Sequence, residues 1–316
     1  MQEQELELVV FVGIPASGKS TMAKQYKEQG YIILSSDELR EKTEQEIADG
    51  RFVLPSNTNL NSFVFESLKA KAKQLLREGK SIVLDATNLG RKRRMNFLRV
   101  AVKTKCHKKC IIFITEPDEC YKRNAQRQGY ARVPDEAMYK MFCNFECPNY
   151  WEGWDEIVPF AQKEEYAFDM NLLVGFSQDN PYHTLTLDEH MKKTHAIAVE
   201  NGFSERIQKI ALIHDIGKYY TKKFENSKGE KTERAHFYGH ENYGAYLYLV
   251  QSCAGKQLSQ DQWKTVLDEV CLINCHMRPL TVWRDNDRAR ENDKRTFGTE
   301  FYEQIVALNK CDRIAH

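Results

Sequence analysis

No apolar run in the 316-residue sequence approaches membrane-spanning length, so no transmembrane helix is expected. An excess of one charge is lacking too: 46 Lys and Arg face 45 Asp and Glu, a formal net charge of +1. That balance advertises no global attraction to nucleic acid or anionic lipid. There are no internal repeats and no low-complexity segments, which excludes solenoids and long unstructured linkers. The nine cysteines never fall at the CxxC spacing of zinc knuckles. Three pairs stand four apart instead (Cys106 and Cys110, Cys143 and Cys147, Cys271 and Cys275), and they read as reduced core or helix-face thiols. The opening MQEQELELVV is acidic and enters a strand pattern directly, unlike a secretory leader, so a cytoplasmic location is expected.

What is present falls into two halves, as the length suggests. The runs LELVVFVG, YIIL, SIVLDAT and CIIFIT are short and β-branched, like buried parallel strands. Amphipathic helical segments separate them, among them SFVFESLKAKAKQLLREG with its stop at Gly79. This alternation predicts a three-layer α/β domain over residues 1–165. Beyond it the strand signal fades and helices are expected around 187–201, 204–220, 238–251, 259–277 and 298–315, an all-α domain over residues 166–316.

Gly13-Ile14-Pro15-Ala16-Ser17-Gly18-Lys19-Ser20 fits GxxxxGK[ST] between a strand and a helix, the context this phosphate-binding loop requires. Backbone N–H groups of Gly13, Ser17 and Gly18 can wrap the phosphates of ATP or another nucleoside triphosphate. Lys19 supplies charge, and Ser20 can hold Mg²⁺. The second strand ends in Ser35-Ser36-Asp37-Glu38-Leu39-Arg40. Asp37 could take a proton from an attacking hydroxyl or could merely cap the next helix; Arg40 could grip an anionic acceptor. Asp85, at the end of the third strand in LDATN, places a second carboxylate near metal and substrate. Arg123 and Arg127 are four apart, so one helical face could present both as a lid over the phosphates. Between Arg91 and Lys109 lie nine Lys or Arg and no acid, a solvated face or a polyanion-binding surface.

In the second half, polar residues sit on apolar stripes. His214 of LIHDIGK follows Ile207, Ile210 and Ala211 at helical spacing, and Asp215 adjoins it. His190 lies three after Leu187, His240 seven before Leu247, and His276 three after Ile273. Asp312 continues the stripe Phe301, Ile305, Leu308. Inward nitrogen and oxygen ligands without cysteine suggest a cage for Mn²⁺, Fe²⁺, Co²⁺, Ni²⁺ or Mg²⁺. His183 and His236 are surplus to it and read as supporting or substrate-facing.

The ordered pieces GxPxSGKS, SSDELR, DATN, KRNAQR and RVPDEAMYKMF resemble the kinase module of bacteriophage 5′-polynucleotide kinase/3′-phosphatase over residues 6–150. The resemblance implies Asp37 as the base for a 5′-hydroxyl, Arg40 on the acceptor phosphate, and Arg123 and Arg127 on the donor phosphates. The DxDGT phosphatase motif of that family is absent. Residues 175–316 resemble the HD-domain phosphohydrolases instead. That likeness implies one metal on His190, His214, Asp215 and Asp312, a second completed by His240 and His276, and substrate phosphate on Lys218 and Arg278.

Together the resemblances imply an end-healing enzyme for RNA or DNA: ATP-dependent 5′-phosphorylation with Mg²⁺, and removal of a 2′,3′-cyclic, 2′- or 3′-phosphate with two divalent transition metals. A nucleic-acid ligase would then be a candidate partner; no oligomeric state is assigned. A nucleoside or metabolite kinase fused to a nucleotide phosphohydrolase, or an ATP-binding regulator with an inactive HD domain, would share many of these motifs.

Overall fold

The computed structural model describes residues 5–102 and 104–316, so Lys103 of the basic stretch lies outside the described residues. Two compact units emerge: residues up to 138 with 148–162, and 139–147 with 163–316. Segment 139–147 therefore belongs with the helical unit, ahead of the boundary expected at 165. Its reason is aromatic: the rings of Phe142 and Phe145 lie 5.0 and 5.1 Å from that of Tyr246.

The first unit runs β1 (Glu7–Val12), α1 (Lys19–Glu28), β2 (Ile32–Ser35), α2 (Ser36–Ala48), α3 (Leu60–Arg77), β3 (Ile82–Asp85), α4 (Arg91–Ala101), β4 (His107–Ile114), α5 (Pro117–Ala125) and β5 (Glu156–Ala161). Between α5 and β5, α6 (Asp135–Phe142) leads from the first unit into the second. The five strands are parallel, in the order β2-β3-β1-β4-β5. Leu8 to Val12 of β1 are buried at its centre, which is why that run is continuously apolar. Because all strands point one way, the loops after β1, β2, β3 and β4 open on one edge, where α/β sheets bind ligands. β5 escaped the sequence pattern: EIVPFA is half-exposed and holds Pro159, which cannot donate to a ladder and suits an edge strand.

Arg94 corrects the reading of 91–109 as one solvated face. Its side chain is fully buried, paired with Glu152 through Nε (2.9 Å) and a terminal nitrogen (2.5 Å). It also donates to the carbonyls of Asn88 (3.0 Å) and Leu89 (2.7 Å). The stripe Arg94, Phe97, Leu98, Ala101 is the buried face of α4. Truncating Arg94 to Ala strands a buried carboxylate, and we expect a loss of about 3–5 kcal/mol from the urea transition of this unit. A loss under about 1 kcal/mol would contradict the pairing.

The second unit holds α7 (Leu187–Glu200), α8 (Glu205–Ala211), α9 (Lys218–Thr221), a hairpin of β6 (Lys223–Glu225) and β7 (Lys231–His236), α10 (His240–Cys253), α11 (Gln260–Cys275), α12 (Asp287–Phe297) and α13 (Thr299–Ala315). Capping boxes start α7 (Thr186 with Glu189) and α11 (Ser259 with Gln262). The helix expected over 204–220 stops at Ala211, and residues 212–217 form tight turns before α9. Gly217 explains the close passage that follows: a Cβ there would sit 2.0 Å from the carbonyl oxygen of His240. The hairpin and α12 were unforeseen because both are almost wholly polar; only Asp293 and Phe297 of α12 are buried. All nine cysteines are free thiols. Among the described residues, no helix is long and apolar enough to cross a membrane.

Candidate active sites

The loop after β1 is a phosphate cradle built from backbone. Gly18 takes φ +102°, and a Cβ on Gly13 would meet the Phe113 Cβ and Ser17 Oγ at 2.8 Å each. Ala16 also adopts a left-handed φ of 66°, strain that suggests a functional turn. The buried Ser17 hydroxyl has no hydrogen-bond partner, as expected of a group kept for a ligand. Lys19 Nζ donates to the carbonyls of Gly13 (2.9 Å) and Ile14 (2.7 Å). Burial brings its pKa down to about 8 despite the opposing charge of Asp85. Asp85 is pushed upward, also by burial, against the opposing pull of Lys19 and the neighbouring Ser20 hydroxyl. A hydroxyl beside a carboxylate is the oxygen donor set that fits Mg²⁺. The turn after β3 braces this loop: Asn88 Nδ2 donates to the Phe11 carbonyl (2.8 Å) and Gly13 N to that of Thr87 (3.0 Å).

Asp37 is not the cap of α2. Ser35 is, its hydroxyl accepting from Glu38 N at 3.3 Å, which leaves the Asp37 carboxylate exposed. Asp37 receives Arg40 at 2.8 Å, and its charge is felt at both Lys19 and Asp85. Arg123 and Arg127 do not share a helical face as expected, because α5 ends at Ala125. At its end the Asn124 side chain donates Nδ2 to Val133 O (2.6 Å) and accepts from Val133 N (3.0 Å), tying the following loop back to the helix. Arg123 pairs with Glu119 at 2.7 Å, whereas Arg127 reaches the Ala131 carbonyl at 3.3 Å and its charge bears on Lys19. Other cations of the basic stretch are engaged as well. Lys108 pairs with Asp155 and Lys109 with Glu156, Arg91 lies over Trp151, and Arg93 lies over Phe65.

In the second unit, His190, His214, Asp215 and Asp312 present ligand atoms all within 4.8 Å of one another, and so do Asp215, His240 and His276. Asp215 belongs to both groups. Its Oδ2 lies 3.4 Å from the Nε2 atoms of His190 and His214, and its Oδ1 lies 3.2 and 3.5 Å from those of His240 and His276. Three imidazoles are fixed from behind by backbone carbonyls: His214 Nδ1 on Ala211 (2.9 Å), His240 Nδ1 on Phe237 (2.8 Å) and His276 Nδ1 on Ile273 (2.7 Å). Carbonyls only accept, so each Nδ1 carries the hydrogen and each Nε2 turns its lone pair inward. The Nε2 atoms of His240 and His276 then face each other at 3.2 Å, and that of His214 is buried 3.4 and 3.5 Å from carboxylate oxygens of Asp215 and Asp312. Such converging acceptors call for protons or cations between them. Burial lowers the proton affinity of His214, but Asp215 and Asp312 overcome it and raise the pKa to about 10. The donor set thus fits two divalent cations sharing one carboxylate.

Lys218 is buried, 2.7 Å from Asp215 Oδ2 and 2.9 Å from Gln178 Oε1. Arg278 gives its Nε and one terminal nitrogen to Asp293, which also accepts from Trp283 Nε1 at 2.8 Å. Its guanidinium is therefore largely committed within the unit. The rings of His183 and His316 lie 4.5 Å apart, and His316 stacks on His190 at 4.7 Å. Burial, then Lys218 and His316, takes the His183 pKa down to about 3. His236 hydrogen-bonds with Tyr238 (3.2 Å). Gln178, Glu152, Asn88 and His316 were not anticipated. A signal existed for His316, one helical turn beyond Asp312; none marked Gln178, in a loop remote in sequence from Lys218.

One unit thus carries a P-loop-type turn at the carboxyl edge of a parallel sheet, and the other carries paired His/Asp clusters. Residues 8–148 match the family described as an AAA domain, and residues 184–276 match the HD domain family. The first match falls on the P-loop half of the chain and the second on the helical half, with Asp312 beyond the matched HD segment. The bifunctional polynucleotide phosphatase/kinase of Schizosaccharomyces pombe is 26% identical over 176 residues, 54% of this chain and 38% of that protein. A protein of Acanthamoeba polyphaga mimivirus, provisionally named for the same pair of activities, is 26% identical over 174 residues, 53% of this chain and 35% of its own. The chain thus spans well under half the length of these relatives. The solved APS kinase of Mycobacterium tuberculosis is similar at 19% identity and a TM-score of 0.36, covering 49% of this chain and 88% of that one.

Proposed function

We propose that the chain heals broken nucleic-acid ends, RNA or DNA, adding a 5′-phosphate with one unit and removing a terminal phosphate with the other. The observation that supports this most is the coexistence in one chain of a phosphate cradle flanked by Asp37 and Arg40 and a separate His/Asp cluster bridged by Asp215. The names of the curated relatives agree with the pairing.

In the first reaction Asp37 accepts the proton of the 5′-hydroxyl. That oxygen bonds to the γ-phosphorus of ATP as the bond to the β–γ bridging oxygen breaks, and ADP leaves. Lys19 and Arg127 balance the negative charge that spreads over the transferred group, and Ser20 with Asp85 would hold Mg²⁺. Arg40 holds the acceptor beside the base.

In the second unit His190, His214, Asp215 and Asp312 would hold one divalent cation, and Asp215, His240 and His276 another. Bound cations of this kind supply Lewis acidity to a phosphoryl oxygen and to a water. The chain's own part is to aim the imidazoles through their backbone hydrogen bonds and to hold Asp215 between Lys218 and four histidines. The net reaction is hydrolytic: a terminal monophosphate takes one water and loses its P–O bond to the strand, whereas a 2′,3′-cyclic phosphate takes two in succession, the first opening the ring and the second releasing inorganic phosphate. A strand end with a free hydroxyl, joinable by a ligase, remains.

The test uses an RNA with 5′-hydroxyl and 2′,3′-cyclic phosphate ends. Asp37→Ala should lose 5′-labelling and keep 3′ processing, and Asp312→Ala the reverse. A single substitution that removes both activities would refute the division of labour. A wild-type protein that phosphorylates free nucleosides but no oligonucleotide would refute the substrate.

A further inference from the structure

We infer that Arg93 forms, beside Arg40, a second anion subsite of the P-loop unit that takes a further backbone phosphate of the acceptor strand. The inference rests on the end-healing reading and extends it from the strand end to the strand. α3 carries the geometry. Arg40 donates to Asn61 at 3.3 Å, and the Arg93 guanidinium carbon lies 3.5 Å from the Phe65 ring centroid. Asn61 and Phe65 are four apart on α3, so their Cβ atoms lie about 5–6 Å apart on one face and the two guanidiniums dock on successive turns. Arg40 has a partner in Asp37; among the described residues, Arg93 has no carboxylate at all. Two like charges gathered with one counterion are unfavourable unless an anion joins them. Burial, then the charge of Arg40, works against the Arg93 proton, an independent sign of that proximity.

The start of α4 points the same way. Arg91, Lys92 and Arg93 fill its first turn without an acid, and Gly90 offers no side-chain cap. Cations there oppose the helix dipole, whereas a phosphate would satisfy both the dipole and the guanidinium. The seat over the Phe65 ring fixes the position of the Arg93 guanidinium, a planar fork suited to phosphate oxygens.

A nucleoside 3′-monophosphate offers one phosphate, enough for Arg40; a 5′-hydroxyl trinucleotide 3′-phosphate offers more. Arg93→Met keeps an apolar stem over Phe65 and removes the charge. It is expected to raise KM for the trinucleotide about tenfold, the scale of one charge-assisted contact, with kcat unchanged. KM for the mononucleotide should not move, and the salt dependence of trinucleotide binding should weaken by about 0.7 in log–log slope. Arg93→Lys should recover part of the loss. An unchanged trinucleotide KM, or an equal rise for both acceptors, overturns the subsite. A wild-type protein that phosphorylates the mononucleotide but no oligonucleotide overturns the end-healing reading instead, and the subsite with it.

Discussion

Asp215→Asn is expected to abolish 3′-end processing and to strip divalent metal from the purified protein, while 5′-phosphorylation continues. Asp215 is the one residue common to both ligand clusters, its two oxygens divided between His190 and His214 on one side and His240 and His276 on the other. The amide keeps the shape of the side chain but offers one acceptor instead of two and no charge. It would also turn a donor toward histidine nitrogens that already point lone pairs inward, and leave Lys218 buried without its counter-charge. Elemental analysis of wild type and variant reads the metal directly, independent of turnover. Loss of metal with loss of processing is the expected pair. Full metal occupancy in the variant would show that the clusters do not depend on a shared carboxylate, and retained processing would remove the HD cluster from the reaction.

Much of this arrangement was legible because a polar residue on an apolar stripe is conspicuous. His190, His276 and Asp312 each interrupt such a stripe, and periodicity alone placed them facing inward. The strand-end positions of Asp37 and Asp85 followed equally from parallel topology, since every such loop opens on the same edge. What stayed hidden depends on distant partners. Arg94 shares the stripe of Phe97 and Leu98, yet nothing local names Glu152, 58 residues away, as its counterion. Arg127 lies past the end of α5, where Asn124 ties back to Val133 across a loop, a contact that i, i+4 spacing does not register. The hairpin at 223–236 lacks apolar alternation, so its strands form on the strength of their pairing rather than their pattern.

Lys19→Met is expected to lower 5′-phosphorylation by about three orders of magnitude, the scale on which single charge-stabilising groups act in such transfers. The same variant should also lose a distinctive pH dependence of stability. Lys19 is buried among backbone carbonyls, and its pKa falls from 10.5 to about 8. The unfolded chain therefore binds more protons than the folded one between about pH 8 and 10.5. The sign follows: this residue's contribution rises as pH rises through that window, by about 3 kcal/mol in all, and is unfavourable below it. Denaturant midpoints of wild type and Lys19→Met should thus diverge from pH 8 upward, with the wild type gaining on the variant. Parallel curves would mean that the lysine keeps its ordinary proton in the fold. In that case the cradle would not be holding a desolvated charge ready for the phosphates, and Lys19 would have to be recruited only after the nucleotide arrives.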